Sequence, residues 1–228
     1  MSIKTTIKRW LEKSGWYVRK TDGISIGVDL FRDLKRFGVY PKCVFDIGAH
    51  HGQSAIEYVN EFPGSRVFAF EPVASNFAVL TSAAHQMITP VLAGVGDRAG
   101  KADIAISKNN SQAHSLSRNL GGVTETVDII TIDDFCSQRG LQPDFIKIDV
   151  EGFEMKVLAG ATRTLTDKNL RAVVSEATLG STNGRHTHLA DLCSSLQPYG
   201  FRLVAIYDQS VWETTGQLEF FNALFVKR

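Results

Sequence analysis

Cysteine is scarce in this 228-residue chain. Cys43, Cys136 and Cys193 are widely spaced and odd in number, so neither a disulfide framework nor a zinc site is indicated, and all three read as reduced packing residues. An excess of one charge is also lacking. Lys and Arg number 25 against 24 Asp and Glu, which gives no bulk field to draw a polyanion, and nucleic acid is not expected as a partner. No apolar run approaches the roughly 18 residues that span a bilayer, and no apolar stretch leads to a small-residue cleavage site; a cytoplasmic location is expected. Internal repeats and low-complexity tracts are absent. What remains is an ordinary globular composition, 43% hydrophobic and 21% charged, with one domain as the default.

Charge is unevenly spread along the chain. Residues 1–42 hold ten basic and four acidic residues, and residues 43–228 the opposite bias. Ile3, Ile7, Trp10 and Leu11 recur at helical spacing opposite Lys4, Lys8, Arg9 and Lys13, the pattern of a basic amphipathic helix. Residues 1–42 are therefore expected as a basic helical extension that packs on the domain or a second subunit, or lies on a membrane surface. Residues 43–228 are expected as the main domain.

In that domain strands alternate with helices. Cys43–Gly48, Arg66–Glu71, Ile88–Val95, Val127–Ile132, Asp144–Asp149 and Arg171–Glu176 read as strands. Helices are expected over Gln53–Phe62, over Asn76–Ala84 with Ser75 as cap, and over Asp133–Arg139, Glu154–Thr166 and Leu189–Leu196. Gly96–Gly100 is expected to fold residues 102–106 back as a hairpin. Residues 107–126 carry no period and are expected as a substrate-side loop. Phe201–Tyr207 and Phe220–Lys227 read as an antiparallel closing pair. The fold class is thus α/β: a Rossmann-like, mostly parallel seven-stranded sheet with a C-terminal antiparallel hairpin and extra strands before the fourth core strand.

Ligands of such sheets sit beyond the carboxyl ends of the strands. There, Asp46-Ile47-Gly48-Ala49-His50-His51-Gly52 turns a strand sharply into a helix. Gly48 and Gly52 are separated by three residues and do not form the G-x-G-x-x-G of a pyrophosphate site, which favours a methyl donor over a hydride carrier. Glu71, 23 positions after Gly48, stands where a carboxylate accepts both ribose hydroxyls of an adenosyl group. Asp97 is placed either to meet an adenine amino group or to face solvent in its turn. Asp46, at the end of a buried strand, needs a partner, and the donor's amino group or a water on it is a candidate.

The run Phe145-Ile146-Lys147-Ile148-Asp149-Val150-Glu151 sets Lys147, Asp149 and Glu151 at one parity. Charges are unexpected inside a parallel sheet, so Lys147 reads equally as a structural ion pair or a functional group, and Asp149 as functional. Together with Phe45-Asp46-Ile47-Gly48-Ala49, Phe68-Ala69-Phe70-Glu71-Pro72, Asp128–Asp134, Asp144–Glu154 and Val157-Leu158-Ala159-Gly160-Ala161, this run makes the chain resemble the FkbM family of methyltransferases from about Cys43 to Arg228. The resemblance implies S-adenosyl-L-methionine as cofactor and O-methylation, commonly of a sugar in a glycan, polysaccharide or natural product. His50-His51 departs from the Asn and apolar residue frequent there, and neither histidine takes a role by transfer.

The candidate cofactor contacts are Asp46, Gly48, Ala49, Gly52 and Gln53 in the first loop, with Glu71, Pro72, Asp97 and Asp149. Candidate bases are Asp149, Glu151, Glu176 and His114, because a hydroxyl acceptor must be aligned and must lose its proton. Thr178–His188, with Arg185, His186 and His188, is the second acceptor-loop candidate. No metal is expected. Absence of Pro-Pro and Pro-Cys disfavours the base-methylating DNA enzymes. The alternatives are a donor-binding adaptor without turnover, acting through the N-terminal helix, and a nicotinamide-dependent oxidoreductase.

Overall fold

The computed structural model describes residues 25–83, 85–106, 124–180, 185–212 and 214–227, and of the N-terminal segment only residues 7, 10, 11, 13 and 14. After α1 (Leu30–Arg36) the chain alternates β1 (Cys43–Ile47), α2 (Gln53–Glu61), β2 (Arg66–Phe70), α3 (Ala74–Ala83) and β3 (Ile88–Val91). A three-stranded excursion follows: β4 (Gly94–Val95), β5 (Gly100–Ala105) and β6 (Thr124–Ile130). The main sheet then resumes with α4 (Ile132–Arg139), β7 (Phe145–Ile148), α5 (Glu154–Ala159), α6 (Thr162–Thr166), β8 (Ala172–Ala177) and α7 (Leu189–Leu196). It closes with β9 (Phe201–Val211) and β10 (Leu218–Lys227).

The large sheet has the order β3-β2-β1-β7-β8-β10-β9. It is parallel from β3 to β8, and β10 runs antiparallel to both β8 and β9. The expected fold class holds, including the closing hairpin and the extra strands before β7. Alternation along each strand divides the core into two layers. Phe45, Ile47, Phe68 and Phe70 join Phe135 on one face, and Val44, Val67 and Phe145 meet Tyr58 and Leu34 on the other. The first layer is built on aromatic edges: Phe45, Phe68 and Phe70 each meet Phe135 with ring centroids 5.6, 5.8 and 5.0 Å apart. Leu34 of α1 is fully buried in the second layer, and Asp33 beside it accepts from Tyr207 Oη at 3.0 Å and Gly27 N–H at 2.8 Å. Among the described residues no helix is long and apolar enough to cross a membrane.

Several local expectations are corrected. Ile88–Val95 is two strands, because the Ala93 N–H turns back to the Val91 carbonyl at 3.0 Å and sends β4 into the small sheet. Residues 100–105 do not pair with β4: they run antiparallel along six residues of β6, a longer ladder than the two residues of β4 offer. The helix expected over Glu154–Thr166 breaks at Gly160, where a Cβ would stand 2.0 Å from the Gly96 carbonyl oxygen. The close approach of that turn selects glycine and interrupts the helix. Ser75 lies inside α3 rather than capping it. The Val73 and Ala74 N–H groups at its start donate instead to the carboxylates of Glu71 and Glu125, both at 3.0 Å, as an N-terminal turn favours.

Candidate active site

The chain leaves β1 toward β2 on one side and reaches β7 later on the other, so the order reverses between β1 and β7. That is where an open α/β sheet forms its ligand crevice. The two loops are laced together there. Gly48 and Ala49 N–H donate to the Phe70 carbonyl at 3.0 and 2.9 Å, and Asp149 N–H donates to the Ile47 carbonyl at 3.0 Å. Gly48 sits at φ 82°, and a Cβ on it would lie 1.8 Å from the Asp149 carbonyl oxygen. His50 and Glu151, one in each loop, hold left-handed φ values of 51° and 54°. Such values cost non-glycine residues free energy and collect at functional sites.

A cavity of about 620 Å³ opens over these loops. At one end stands Glu71, directly after β2 and almost wholly buried. Its Oε1 accepts from Val73 N–H at 3.0 Å and Asn76 Nδ2 at 3.3 Å, and its Oε2 from His50 N–H at 3.0 Å. Burial pushes its carboxyl up, against the pull of those three donors. A carboxylate gripped in this way is fixed in direction, with lone pairs left for a ligand.

In the cavity wall, Lys147 Nζ lies 3.5 Å from Asp46 Oδ1 and 3.1 Å from Asp149 Oδ2. Burial opposes the charge on Lys147, but the Asp149 and Asp46 carboxylates outweigh it and raise its pKa. Asp46, fully buried, is raised by burial despite Lys147. The charged parity expected along this strand ends at Asp149: β7 stops at Ile148, and Glu151 turns away to meet another partner.

That partner is Arg185, whose Nε and Nη2 donate to Glu151 at 3.1 and 3.5 Å. Burial raises the Glu151 carboxyl and Arg185 opposes it. Next to this pair, Glu176 near the end of β8 places Oε2 2.7 Å from His186 Nδ1. Burial raises Glu176 to about 7, against the His186 hydrogen bond. Glu219, Phe220 and Asn222 of β10 complete this far end. The 185–188 segment is tied down by Thr187 Oγ1, which donates to Glu154 Oε2 at 2.5 Å, while Glu154 Oε1 accepts from Val150 and Gly152 N–H.

Residues 46–203 match the methyltransferase FkbM domain. The chain belongs to that family. Its cofactor is S-adenosyl-L-methionine. Among curated relatives, the 2-O-methyltransferase NoeI of Sinorhizobium fredii is 28% identical over 54% of this chain and 58% of its own length. The hexuronic acid methyltransferase AglP of Haloferax volcanii is 26% identical over 68% of this chain and 63% of its own. The alignments thus span less than two thirds of either relative. A Listeria monocytogenes structure assigned as an S-adenosylmethionine dependent methyltransferase superposes with a TM-score of 0.50 at 8% identity. It covers 87% of this chain and 97% of that one, a likeness of fold alone.

Within this FkbM domain the cavity gathers Gly48, Ala49, Gln53, Glu71, Pro72 and Asp149 with Glu151 and Glu176. Asp46 is absent from the lining and meets it through Lys147 and Ser54. Gly52 begins α2 outside the lining. Asp97 is also outside: its carboxylate accepts from Lys156 Nζ at 3.0 Å, a bond that lowers its pKa. His114 falls outside the described residues. Sequence reasoning missed Asn76 as a support of Glu71, Phe220 and Asn222 as walls, and the pairing of His186 with Glu176. Of these only Glu176, as a candidate base, and His186, as one of three candidate residues in the second loop, carried a signal. Among the described residues no three potential metal ligands stand together.

Proposed function

We propose that this chain transfers a methyl group from S-adenosyl-L-methionine to a hydroxyl of a neutral, sugar-type acceptor. The observation that carries the donor half is Glu71, a buried carboxylate at the end of β2 fixed by three donors at the cavity edge. The cavity volume falls within the usual range for small-molecule sites. Glu71 would hold the ribose hydroxyls, and the Gly48–Ala49 turn would let the ligand approach the backbone without a side chain between them. The donor supplies a methyl on a positively charged sulfur that departs as a neutral thioether. The chain's own residues align the hydroxyl, exclude water and take up its proton.

The acceptor half rests on the character of the opposite end. Among the described residues that line this end, Asp149, Glu151, Glu176 and Glu219 outnumber the cations Lys147 and Arg185, with the Asn222 amide and the Phe220 ring beside them. Carboxylates and an amide suit neutral hydroxyls, whereas an acidic sugar would meet uncompensated like charge. AglP's hexuronic acid marks the contrast. The free Cys43, Cys136 and Cys193 support a cytoplasmic location. Exposed Ile7 and Trp10 support the N-terminal helix as a contact for a membrane surface or second subunit.

Calorimetric titration with S-adenosylhomocysteine tests the donor site. The parent binds, Glu71→Gln and Glu71→Ala bind about 10- to 100-fold more weakly, the worth of a charged hydrogen bond, and circular dichroism verifies their folding. A folded parent that does not bind sinks the reading. Transfer of labelled methyl to neutral methyl glycosides, glucuronic acid and a non-sugar alcohol then tests the acceptor class. Preference for the acid or the non-sugar alcohol overturns that half.

A further inference from the structure

At the acceptor end Asp149, Glu151 and Glu176 each have a different side-chain partner. Asp149 faces the Lys147 ammonium and Glu151 the Arg185 guanidinium. Arg185 engages both Glu151 oxygens, and Lys147 engages one oxygen of Asp149. Glu176 alone of the three is bonded to a titratable group, His186, at 2.7 Å.

The geometry of this pair is over-determined. Thr178 N–H donates to the Thr187 carbonyl at 3.0 Å and Leu189 N–H to the Thr178 carbonyl at 2.9 Å, so the end of β8 and the chain just after the histidine are tied together by two bonds. The imidazole stacks on Phe220, centroids 4.8 Å apart and planes at 28°. Its Nε2 is buried with no hydrogen-bond partner among the described residues. Glu176 borders the cavity and His186 stands behind it, outside the lining. Glu176 Oε2 is occupied by His186, which leaves the other oxygen for a ligand.

We propose that Glu176 and His186 form one proton-accepting unit for the acceptor hydroxyl, Glu176 as the catalytic residue and His186 as the positioning residue that orients it. The proposal rests on the hydroxyl-methylation reading above. As the hydroxyl oxygen bonds to the methyl carbon, the carbon–sulfur bond breaks with its electron pair left on sulfur, and the hydroxyl proton passes to the free Glu176 oxygen. The positive charge that leaves the donor sulfur is balanced by the proton that reaches the unit. Asp149, Glu151 and Glu219 face the unit as negative groups, with Arg185 and Lys147 as the cations. Burial raises Glu176 to about 7, near the optimum for a general base in neutral solution. Burial disfavours the His186 imidazolium, and Glu176 overcomes it and raises that group too.

The test uses the full chain. The ring nitrogens of His186, assigned with His186→Gln, are titrated by NMR with and without S-adenosylhomocysteine. In the parent the imidazole ionises above the ordinary range, and in Glu176→Gln it falls by about one pH unit or more. Coincident titrations overturn the unit. The kinetic arm uses the methyl glycoside that the parent methylates. There Glu176→Gln loses about 100- to 10,000-fold in kcat and keeps S-adenosylhomocysteine affinity within about threefold, whereas Glu61→Gln, in an exposed pair with Lys35 outside the cavity, stays close to the parent. Glu176→Asp retains the rise of rate with pH. His186→Gln keeps a donor for Glu176 but not its charge, so the rising limb moves to higher pH. Full rate in Glu176→Gln, or an equal loss in Glu61→Gln, overturns the assignment. A uniform loss in His186→Gln with the limb unmoved overturns the positioning role. A parent that binds no donor sinks the methyl-transfer reading, which the histidine titration without ligand tells apart.

Discussion

The two ends of the cavity hold their carboxylates by different means. At the donor end Glu71 is gripped by neutral donors, the Val73 and His50 N–H groups and the Asn76 amide. At the acceptor end Asp149, Glu151 and Glu176 lean on Lys147, Arg185 and His186. Backbone donors carry no charge and do not titrate, so a carboxylate fixed by them keeps its orientation whatever the protonation of its neighbours. Side-chain ions and a histidine make a geometry that changes with charge state. The first arrangement suits a constant ligand and the second a site that must receive a proton during each turnover.

The sharpest way to break this contrast is to disturb both ends at once. Gly48→Ala would drive a Cβ to 1.8 Å from the Asp149 carbonyl oxygen, a backbone atom, while forcing alanine to φ 82°. Strain and overpacking together predict a loss of about 3 kcal/mol or more in unfolding free energy, read by urea denaturation. Any folded fraction should bind no S-adenosylhomocysteine, since the β1 and β7 loops must separate. A variant with parental stability would show that the two loops are not packed in this way.

Glu176→Gln sharpens the contrast through stability. A carboxyl raised on folding is favoured protonated, so its contribution is fully present below the ordinary glutamate range and is lost as pH rises through about 7. Glutamine mimics the protonated form and never ionises. The variant should therefore match the parent near pH 4 and exceed it progressively between pH 5 and 8. The gain reaches about 2 kcal/mol, roughly 4–8 °C in Tm for a chain of this size. An enzyme that becomes more stable as it loses rate carries strain at a working site. A constant difference across pH would contradict the raised carboxyl.

That Gly48 and Glu71 would share one cavity was legible because the parts are short-range. Gly48 and Glu71 each directly follow an apolar strand, and parallel sheets bring successive strand ends to one edge. The acceptor end is assembled from residues 149–151, 176, 185–186 and 219–222, whose meeting depends on β10 inserting beside β8. Nothing local in Phe220 or Asn222 announces that insertion, and Glu176 and His186 read as separate candidates until the segment between them folds back. The small sheet was illegible for a related reason. A two-residue β4 has too little pattern to show that its partner is β6 and not the segment that follows it. Gly160 likewise punctuates a helix because of the remote Gly96 carbonyl, a contact that no periodicity encodes.

Asp97 provides the smallest expected effect and bears on the donor end alone. From sequence it stood after a strand where an adenine amino group could be met. The chain instead turns at Val91, and β4 leads Asp97 into a surface pair with Lys156. Exposed pairs of this kind contribute little, and the side chain lies outside the cavity lining. Asp97→Ala should thus leave S-adenosylhomocysteine affinity within about twofold while Glu71→Ala weakens it far more. A tenfold loss in Asp97→Ala would mean that the β4–β5 turn closes over the ligand on binding, and the donor end would then depend on a side-chain ion as the acceptor end does.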